Sequence, residues 1–447
     1  MTIDLNAPLA LPCGVQLPNR LLKSAMTEGL ADRHDRATGR HATLYRRWST
    51  GGTGTLITGN VMIDRRFLER PGNVVIEDRE GLEHLKRWAA AGTAAGNQLW
   101  MQISHPGRQC AKRSARRPMA PSAVQLKLLG NFGRPVAMSE EDIQDALDRF
   151  ARTAGIAREA GFTGVQLHAA HGYLISQFLS PRLNRRTDGW GGALAARARF
   201  LLEAVARTRR VVGPDFPVAV KLNSADFQKG GFRFDDSIQV AQWLEDGGVD
   251  LIEISGGNYE QPSMFDIQGR ARDADGSPRE STRRREAFFL EYAARLRREV
   301  KLPLAVTGGF RTRRVMLAAL NRHALDVVGM ARPLVTEPDL SQHLLDATRD
   351  SAVAHEHRLK IGRGPFGPHS RLFLFKALNA LGPLAWYYRQ IIHLAHKRRP
   401  QLRLGVLSAL ILHQVTEIRL ARRRQHLRSP AGKTIVQRAS AGSTKRP

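Results

Sequence analysis

Two histidines and a tyrosine lie close together in the stretch LHAAHGYLISQFLSPRLNRRTDGWGG, which starts at Leu167. His168 and His171 are three residues apart, and Tyr173 follows two residues later. Two imidazoles can donate hydrogen bonds to a substrate oxygen that becomes negatively charged, while a phenol supplies a proton to the same substrate. Imidazoles can also bind zinc, which needs a third ligand, or hydrogen-bond to loop backbone. The spacing alone leaves all three interpretations open.

The elements that would position these residues alternate regularly along the chain. Eight short apolar segments are separated by longer stretches, such as residues 81–96 and 140–161, in which apolar residues recur at helical spacing. Apolar segments without polar alternation are typical of strands buried on both faces of a parallel sheet. The segments are 20–25, 54–59, 98–103, 164–169, 217–222, 250–255, 303–308 and 325–330.

Eight strand–helix units over about 300 residues predict an α/β fold of the (β/α)8 TIM-barrel type. An open, doubly wound sheet is the competing architecture, but no G-x-G-x-x-G sequence follows a strand and opens a helix. Polar residues also gather where the predicted strands end, as expected for a barrel whose strand ends meet at one mouth. These residues are Thr27, Gly59, Gln102, His168, Lys221, Ser255 and Gly308.

Two segments near the end of the predicted barrel have the composition of a phosphate site. AVTGGFRT follows the seventh strand and contains Gly308 and Gly309, and VVGMARPLV spans the eighth strand and contains Arg332. Glycines let backbone N–H groups approach a ligand closely, and a guanidinium binds phosphate with two hydrogen bonds. Either segment alone would be an ordinary turn. Together, after strands seven and eight, they favour a phosphate-bearing ligand.

Composition limits the class of protein. The chain has 447 residues, of which 42% are hydrophobic, and this length can bury a large core. The chain carries 69 Lys and Arg against 41 Asp and Glu, a formal charge of +28 that favours an acidic partner. Cys13 and Cys110 are the only cysteines, which excludes a disulfide scaffold and an all-cysteine zinc or iron–sulfur site. No signal peptide or membrane-spanning run is visible, so we expect a cytoplasmic protein.

The positive charge is concentrated at the C-terminal end of the chain. Residues 351–447 contain 19 Lys and Arg but only two acidic residues. We therefore predict a barrel domain of residues 1–345 and a basic, mainly helical extension of residues 346–447. The helices are expected to break at Pro383 and Pro400, and the C-terminal end is expected to be disordered.

Three roles are open for this extension. Its apolar stripes favour packing across the barrel or against a second subunit in a homo-oligomer. A basic amphipathic segment can also lie on an anionic membrane surface, which would make the protein a peripheral membrane protein. Nucleic-acid binding is the least expected role, since aromatic residues are few and only the three arginines at 422–424 suggest it.

The histidine-containing stretch closely resembles the signature of the Old Yellow Enzyme family, the FMN-dependent NAD(P)H:flavin oxidoreductases and ene-reductases. The resemblance extends over residues 6–340 and includes LPNRLLKSAMTEG, TLITGNVMID, MQISHPGR, VAVKLNSADF, TGGFRT and GMARPLVTEPDL. It implies that NADH or NADPH reduces a bound FMN, which then reduces an activated alkene such as an enone. It also implies that the partner of the protein is a small molecule.

The resemblance assigns roles to individual residues. His168 and His171 match the pair that holds the substrate carbonyl, and Tyr173 matches the proton donor. Thr27 would hydrogen-bond near the flavin C4 oxygen, and Lys221 would lie near N1 and O2, where negative charge accumulates on reduction. The positions matched to the flavin ring are Ser24, Ala25, Met26, Thr27, Gly59, Gln102 and Lys221, and those matched to the phosphate are Ala331 and Arg332.

The sequence departs from the family pattern in three places. The cysteines that hold an iron–sulfur cluster in some members are missing, so no cluster is expected. Thr27 stands where some relatives have a flavin-proximal cysteine, and Glu28-Gly29-Leu30 follows where a substrate-facing tyrosine would stand. Two other functions are alternatives: an RNA-modifying flavin barrel similar to dihydrouridine synthases, and a membrane-surface protein that uses its basic extension. No metal site is predicted.

Overall fold

Eight parallel strands pair in chain order, and the last strand pairs with the first to close a barrel. Each strand begins and ends within two residues of the segment predicted for it, so the predicted TIM barrel is confirmed. The strands are β1 (Leu21–Lys23), β2 (Thr55–Ile57), β3 (Gln98–Ser104), β4 (Gly164–Ala169), β5 (Val218–Asn223), β6 (Leu251–Ser255), β7 (Leu304–Thr307) and β8 (Val327–Met330). The computed structural model describes residues 2–128, 130–256, 290–362, 364–368 and 370–428.

Helices follow the strands around the outside of the barrel. The patterns at 81–96 and 140–161 form the helices α2 and α3, and α3 begins at a capping box in which Ser139 Oγ accepts from Asp142 N at 3.1 Å. The helices are α1 (Gly39–Ser49), α2 (Leu82–Gly92), α3 (Glu140–Glu159), α4 (Leu174–Leu179), α5 (Leu194–Val212), α6 (Phe234–Asp246), α7 (290–297), α8 (Arg313–Asn321), α9 (Arg332–Thr336), α10 (Leu340–Leu345), α11 (Phe373–Ala395) and α12 (Val406–Arg428). Short strand pairs in the loops join Val61–Met62 to Val74–Val75 and Met119–Ala120 to Val136–Ala137.

An apolar layer fills the barrel near the start of its strands, because alternate residues of each strand point to the interior. An antiparallel strand pair, Leu9–Ala10 with Gln16–Leu17, packs against this layer. In β4 the corresponding position is Gly164, where a Cβ would collide with the Trp100 ring. The glycine therefore makes room for the indole. The apolar layer consists of Leu22, Ile57, Trp100, Ala219, Leu251, Ala305 and Val327.

The predicted helical extension is present as α11 and α12. The helix α11 contacts α1 and α9 of the barrel as well as α12. Its buried residues Trp386, Tyr387 and Ile391 belong to the same apolar core as the barrel helices. The extension thus packs against the barrel, while its division from the barrel at residue 345 stays a prediction.

The expected break at Pro383 is wrong, although Pro400 does lie between α11 and α12. Pro383 lies inside α11, where a proline costs about 3 kcal/mol because one helical hydrogen bond is lost. Tertiary packing compensates for this cost. Asn379, one turn earlier, anchors the helix by accepting from Ile361 N at 2.7 Å and donating to Ile361 O at 2.9 Å.

Two ion pairs, one buried and one partly buried, fasten α12 to loops that follow β1 and β2. Arg424 Nε donates to both carboxylate oxygens of Asp35 at 2.9 Å, and the two side chains are 9% and 5% exposed. Arg70 pairs with Glu417 at 2.5 Å and also covers the ring of Tyr388. One of the three arginines that suggested nucleic-acid binding is therefore used inside the fold.

The described part of the extension contains no membrane-crossing element, because no helix in the described ranges is both long and apolar enough. The C-terminal end that we expected to be disordered lies outside the described residues from position 429 onward.

Replacing Arg424 by methionine should lower the free energy of unfolding by about 3–5 kcal/mol, because Asp35 would be left as an unpaired buried carboxylate. Urea unfolding of the full chain measures this loss. Arg423→Met is the matched control, since Arg423 is an exposed neighbour on the same helix. Equal losses in the two variants would contradict the anchoring role of the Arg424 ion pair.

Candidate active site

A polar layer lies directly above the apolar layer, two residues nearer the C-terminal end of each strand. This change from apolar to polar residues identifies the upper half of the barrel as the candidate site, in the place where the active sites of such barrels lie. The layer also contains two glycines, which leave space for neighbouring side chains. Its members are Ser24, Gly59, Gln102, Gln166, Lys221, Glu253, Thr307 and Gly329.

Glu253 is the centre of the hydrogen bonds in the polar layer. Its Oε1 accepts from Lys221 Nζ at 2.8 Å and from Thr307 Oγ1 at 2.7 Å, and its Oε2 accepts from Gln166 Nε2 at 2.8 Å. Gln166 in turn accepts from Gln102 Nε2 at 2.7 Å. Burial raises the pKa of the Glu253 carboxyl, but Lys221 and the hydrogen bonds outweigh it and hold that pKa below its usual value. The layer therefore contains a buried ion pair.

The two glycines of the polar layer permit close approaches. A Cβ at Gly329 would collide with the hydroxyl of Thr307, which hydrogen-bonds to Ser24. A Cβ at Gly59 would collide with the carboxylate of Glu28, which accepts from the Gly59 N–H at 2.8 Å. Both positions are thus restricted to glycine by their neighbours.

His168, His171 and Tyr173 come together above the polar layer. The ring of His168 lies 5.1 Å from that of His171 and 4.8 Å from that of Tyr173, measured between centroids. His171 has a φ of 60°, and this left-handed turn is held by Asn223 Oδ1, which accepts from the His171 N–H at 3.1 Å. The turn places both histidines and the tyrosine at the barrel mouth, as the sequence predicted.

The two imidazoles are neutral at physiological pH. Burial lowers the pKa of His168 well below its usual value, with further contributions from His171 and Lys221. Burial, followed by Lys221, lowers the pKa of His171 to about 3. The Ala170 N–H donates to His168 Nδ1 at 3.2 Å, so the proton of His168 is on Nε2. His171 Nε2 is 2.6 Å from Ser255 Oγ. Each ring can therefore donate one hydrogen bond without carrying a charge.

Thr27 has a partner that the sequence did not reveal. Its hydroxyl donates to Glu69 Oε2 at 2.9 Å, and Asn60 Nδ2 donates to the same oxygen at 2.7 Å. The family resemblance implies that the Thr27 hydroxyl donates a hydrogen bond to a flavin oxygen. In this structure the hydroxyl donates to the Glu69 carboxylate instead. Glu69 lies 42 residues from Thr27 in the chain, which explains why no local pattern predicted the pair.

The predicted phosphate end contains two arginines rather than one. Gly308 and Gly309 have φ values of 140° and 80°, a backbone that other residues rarely adopt. Arg311 Nη2 and Arg332 Nη1 both approach Glu356 Oε1, at 2.6 and 3.2 Å. Two guanidinium groups beside a glycine pair are a donor set that fits a phosphate. Sequence reasoning missed Arg311, although it stands in the quoted TGGFRT segment, and it missed Glu356.

The zinc interpretation of the histidine pair has no structural support in the described ranges. No group of three or more His, Cys, Asp or Glu side chains there is arranged to hold a metal ion. The pair instead lies over the Lys221–Glu253 ion pair, and the ammonium group of Lys221 has no lone pair with which to bind a metal ion.

Known proteins are similar to this chain over the whole barrel. Residues 4–350 match the family model described as the NADH:flavin oxidoreductase / NADH oxidase family. The chain is 35% identical over 420 residues to the NADH-dependent flavin oxidoreductase iccE of Talaromyces variabilis, covering 89% of this chain and 99% of that protein. It is 38% identical over 353 residues to iliE of Neonectria sp. (strain DH2), a protein of the same description, covering 74% of this chain. The aligned part of this chain spans about half the length of iliE, covering 45% of it.

Solved structures show the same fold. A complex of 2-naphthoyl-CoA reductase superposes with a TM-score of 0.69 at 26% identity, covering 77% of this chain and 52% of that one. An Old Yellow Enzyme homologue from Zymomonas mobilis superposes with a TM-score of 0.65 at 24% identity, covering 78% of this chain and 95% of that one. The second likeness is evidence of the fold alone.

The free energy of unfolding should fall as the pH is lowered from about 6.5 to 5. Burial lowers the pKa of His41 and His171 to about 3 and that of His105 to about 4, whereas these histidines take up protons near pH 6.5 once unfolded. Because the folded-state values are depressed, this stabilisation is present above pH 6.5 and is lost below it, by up to about 1.4 kcal/mol per pH unit for each histidine.

Urea unfolding at a series of pH values measures this dependence. His41→Asn keeps an acceptor for the Thr38 N–H, which donates to His41 Nδ1 at 3.0 Å, but removes one titrating group. Its stability should therefore depend less steeply on pH. Parallel pH profiles for the two proteins would show that His41 does not contribute.

Proposed function

The chain belongs to the NADH:flavin oxidoreductase / NADH oxidase family, and on that basis we propose that it is an FMN-dependent enzyme that uses NADH or NADPH to reduce an activated alkene such as an enone. The observation that carries the proposal is the cluster of His168, His171 and Tyr173 directly above the buried Lys221–Glu253 pair. Family membership favours this function over the RNA-modifying barrel and the membrane-surface protein.

The residues of the barrel mouth suit one non-covalently bound FMN. Lys221 would face the part of the ring that gains negative charge, and Gln102 would contact the ring through its amide. Gly308, Gly309 and Arg332 would hold the phosphate, with Arg311 as a further donor. When bound, FMN would serve as the hydride carrier between the reduced nicotinamide and the alkene. We propose that the enzyme works without an iron–sulfur cluster.

His168 would stabilise the negative charge that develops on the substrate carbonyl. Its Nε2–H is the available donor, because Nδ1 already accepts from the Ala170 N–H. A preorganised donor of this kind contributes about 3 kcal/mol to transition-state stabilisation. His171 would add a second hydrogen bond after exchanging Ser255 for the substrate oxygen. Since both rings are neutral, they donate without protonating the substrate.

Tyr173 would supply the proton that completes alkene reduction. It is buried beside His168 at the N-terminus of α4 and is 4% exposed. A phenol keeps its proton at neutral pH and can act as a general acid. Placing the acid and the carbonyl donors on one turn fixes the distance between the two reacting ends of a conjugated substrate.

Replacing Arg332 by alanine should weaken the binding free energy of FMN by about 1.5–3 kcal/mol, the contribution of a charge-assisted hydrogen bond. The variant should therefore lose flavin more readily. The measurement is the ratio of flavin to protein absorbance after extensive dialysis. Arg314→Ala is the control, because Arg314 is exposed on the neighbouring helix α8. Full flavin content in the Arg332 variant would contradict the assignment of Arg332 to the phosphate of FMN.

Tyr173→Phe should leave flavin reduction by NAD(P)H unchanged and slow enone reduction by about 10²–10⁴-fold, because only the second half-reaction needs a proton. Stopped-flow spectroscopy separates the two half-reactions. His168→Ala should instead weaken the binding of phenolate ligands and enones. An equal loss of both half-reactions in Tyr173→Phe would mean that the tyrosine is structural.

A further inference from the structure

We propose that Glu253 is a positioning residue that sets the reduction potential of the bound flavin by neutralising the charge of Lys221. This inference rests on the proposed function, since it assumes that FMN lies over the polar layer. It concerns a residue that neither the sequence motifs nor the family resemblance singled out.

The contacts of Glu253 extend, directly or through one other side chain, to three of the seven residues matched to the flavin ring. It pairs directly with Lys221, and it reaches Gln102 through Gln166. It also receives a hydrogen bond from Thr307, whose hydroxyl bonds to Ser24. One carboxylate is thus linked to Lys221 of β5, to Gln102 of β3 and to Ser24, which directly follows β1.

A purely structural role does not account for a charged pair at this place. The side chains of Lys221 and Glu253 are 4% and 0% exposed, and a buried ion pair is often no more stabilising than apolar residues of the same size. The barrel is already held together below this level by its apolar layer. The pair costs desolvation free energy, so its presence at the level that would face the flavin indicates an electrostatic role.

The direction of the effect follows from charge. An unpaired lysine beneath the flavin would favour the more negative, reduced form and raise the reduction potential. A carboxylate 2.8 Å from the ammonium cancels much of that field. The bound flavin therefore stays more strongly reducing than Lys221 alone would allow, which favours the transfer of electrons to the alkene.

The test compares the midpoint potential of the flavin in the wild-type holoenzyme and in Glu253→Gln. Glutamine preserves the length of the side chain and its acceptor oxygen but removes the charge. The midpoint potential should become more positive. At a fixed donor potential, the ratio of reduced to oxidised flavin should rise about tenfold or more, which corresponds to a shift of about 30 mV for a two-electron couple. Dye equilibration with reference dyes measures this shift.

Asp250→Asn provides the matched control. Asp250 precedes β6 at the opposite end of the same strand, pairs with Arg209 at 2.6 Å and has a side chain that is 3% exposed. The substitution makes the same change in charge far from the flavin-facing layer, so it should reduce stability without moving the potential. An unchanged potential in Glu253→Gln, or an equal shift in Asp250→Asn, would overturn the proposal.

Two further variants keep the test decisive if Glu253→Gln cannot be isolated with flavin. Glu253→Asp withdraws the carboxylate by one methylene, so the potential should shift in the same direction by less. Lys221→Met removes the cation and should shift it in the opposite direction. If Glu253→Asp leaves the potential unchanged while Lys221→Met lowers it, the proposal for Glu253 fails, and it fails equally if neither variant moves the potential. A wild-type protein that holds no FMN, or whose flavin NADH does not reduce, would instead refute the proposed function.

Discussion

Parallel strands that pair in chain order and close on themselves leave no free edge, so all eight strand ends must meet at a single mouth. The same closure divides the barrel interior into levels, because every second residue of each strand points inward. The lowest level is apolar and the next is polar, and His168, Asn223 and Ser255 follow two residues further along their strands. The apolar layer and the candidate site are thereby separated along one axis of the barrel.

Electrostatics in the upper levels depends on the exclusion of water. Burial keeps His168 and His171 neutral and makes the Lys221–Glu253 interaction much stronger than a surface pair. Neutral imidazoles would suit the function proposed for this site, in which they donate hydrogen bonds to a developing negative charge while the Tyr173 phenol gives the proton. The buried cation and its counter-ion lie one level below, where a flavin ring would sense their net field. Each charge state follows from burial and from one or two neighbours.

The basic extension is part of this arrangement rather than an independent tail. Arg424 and Glu417 of α12 bind loops that follow β1 and β2, and Glu356 lies between the two arginines of the predicted phosphate end. Some of the positive charge that suggested a nucleic-acid or membrane partner is therefore consumed by carboxylates within the fold. The helix α11 keeps Pro383 in its interior while Asn379, one turn earlier, holds it to Ile361 by two hydrogen bonds.

The sequence by itself determined the strands, the mouth and the histidine–tyrosine cluster, because each depends on neighbouring residues: apolar runs form strands, and polar residues that end them must converge. Tertiary structure alone decided the partners of these residues. Lys221 meets Glu253 and Thr27 meets Glu69 only because closure of the barrel and its loops brings distant residues together. Glu253 is the one charged residue of the buried, mostly apolar strand β6, and a charge in such a strand requires a buried partner. Its identity required the barrel, since hydrogen bonds between strands depend on register and not on local propensity.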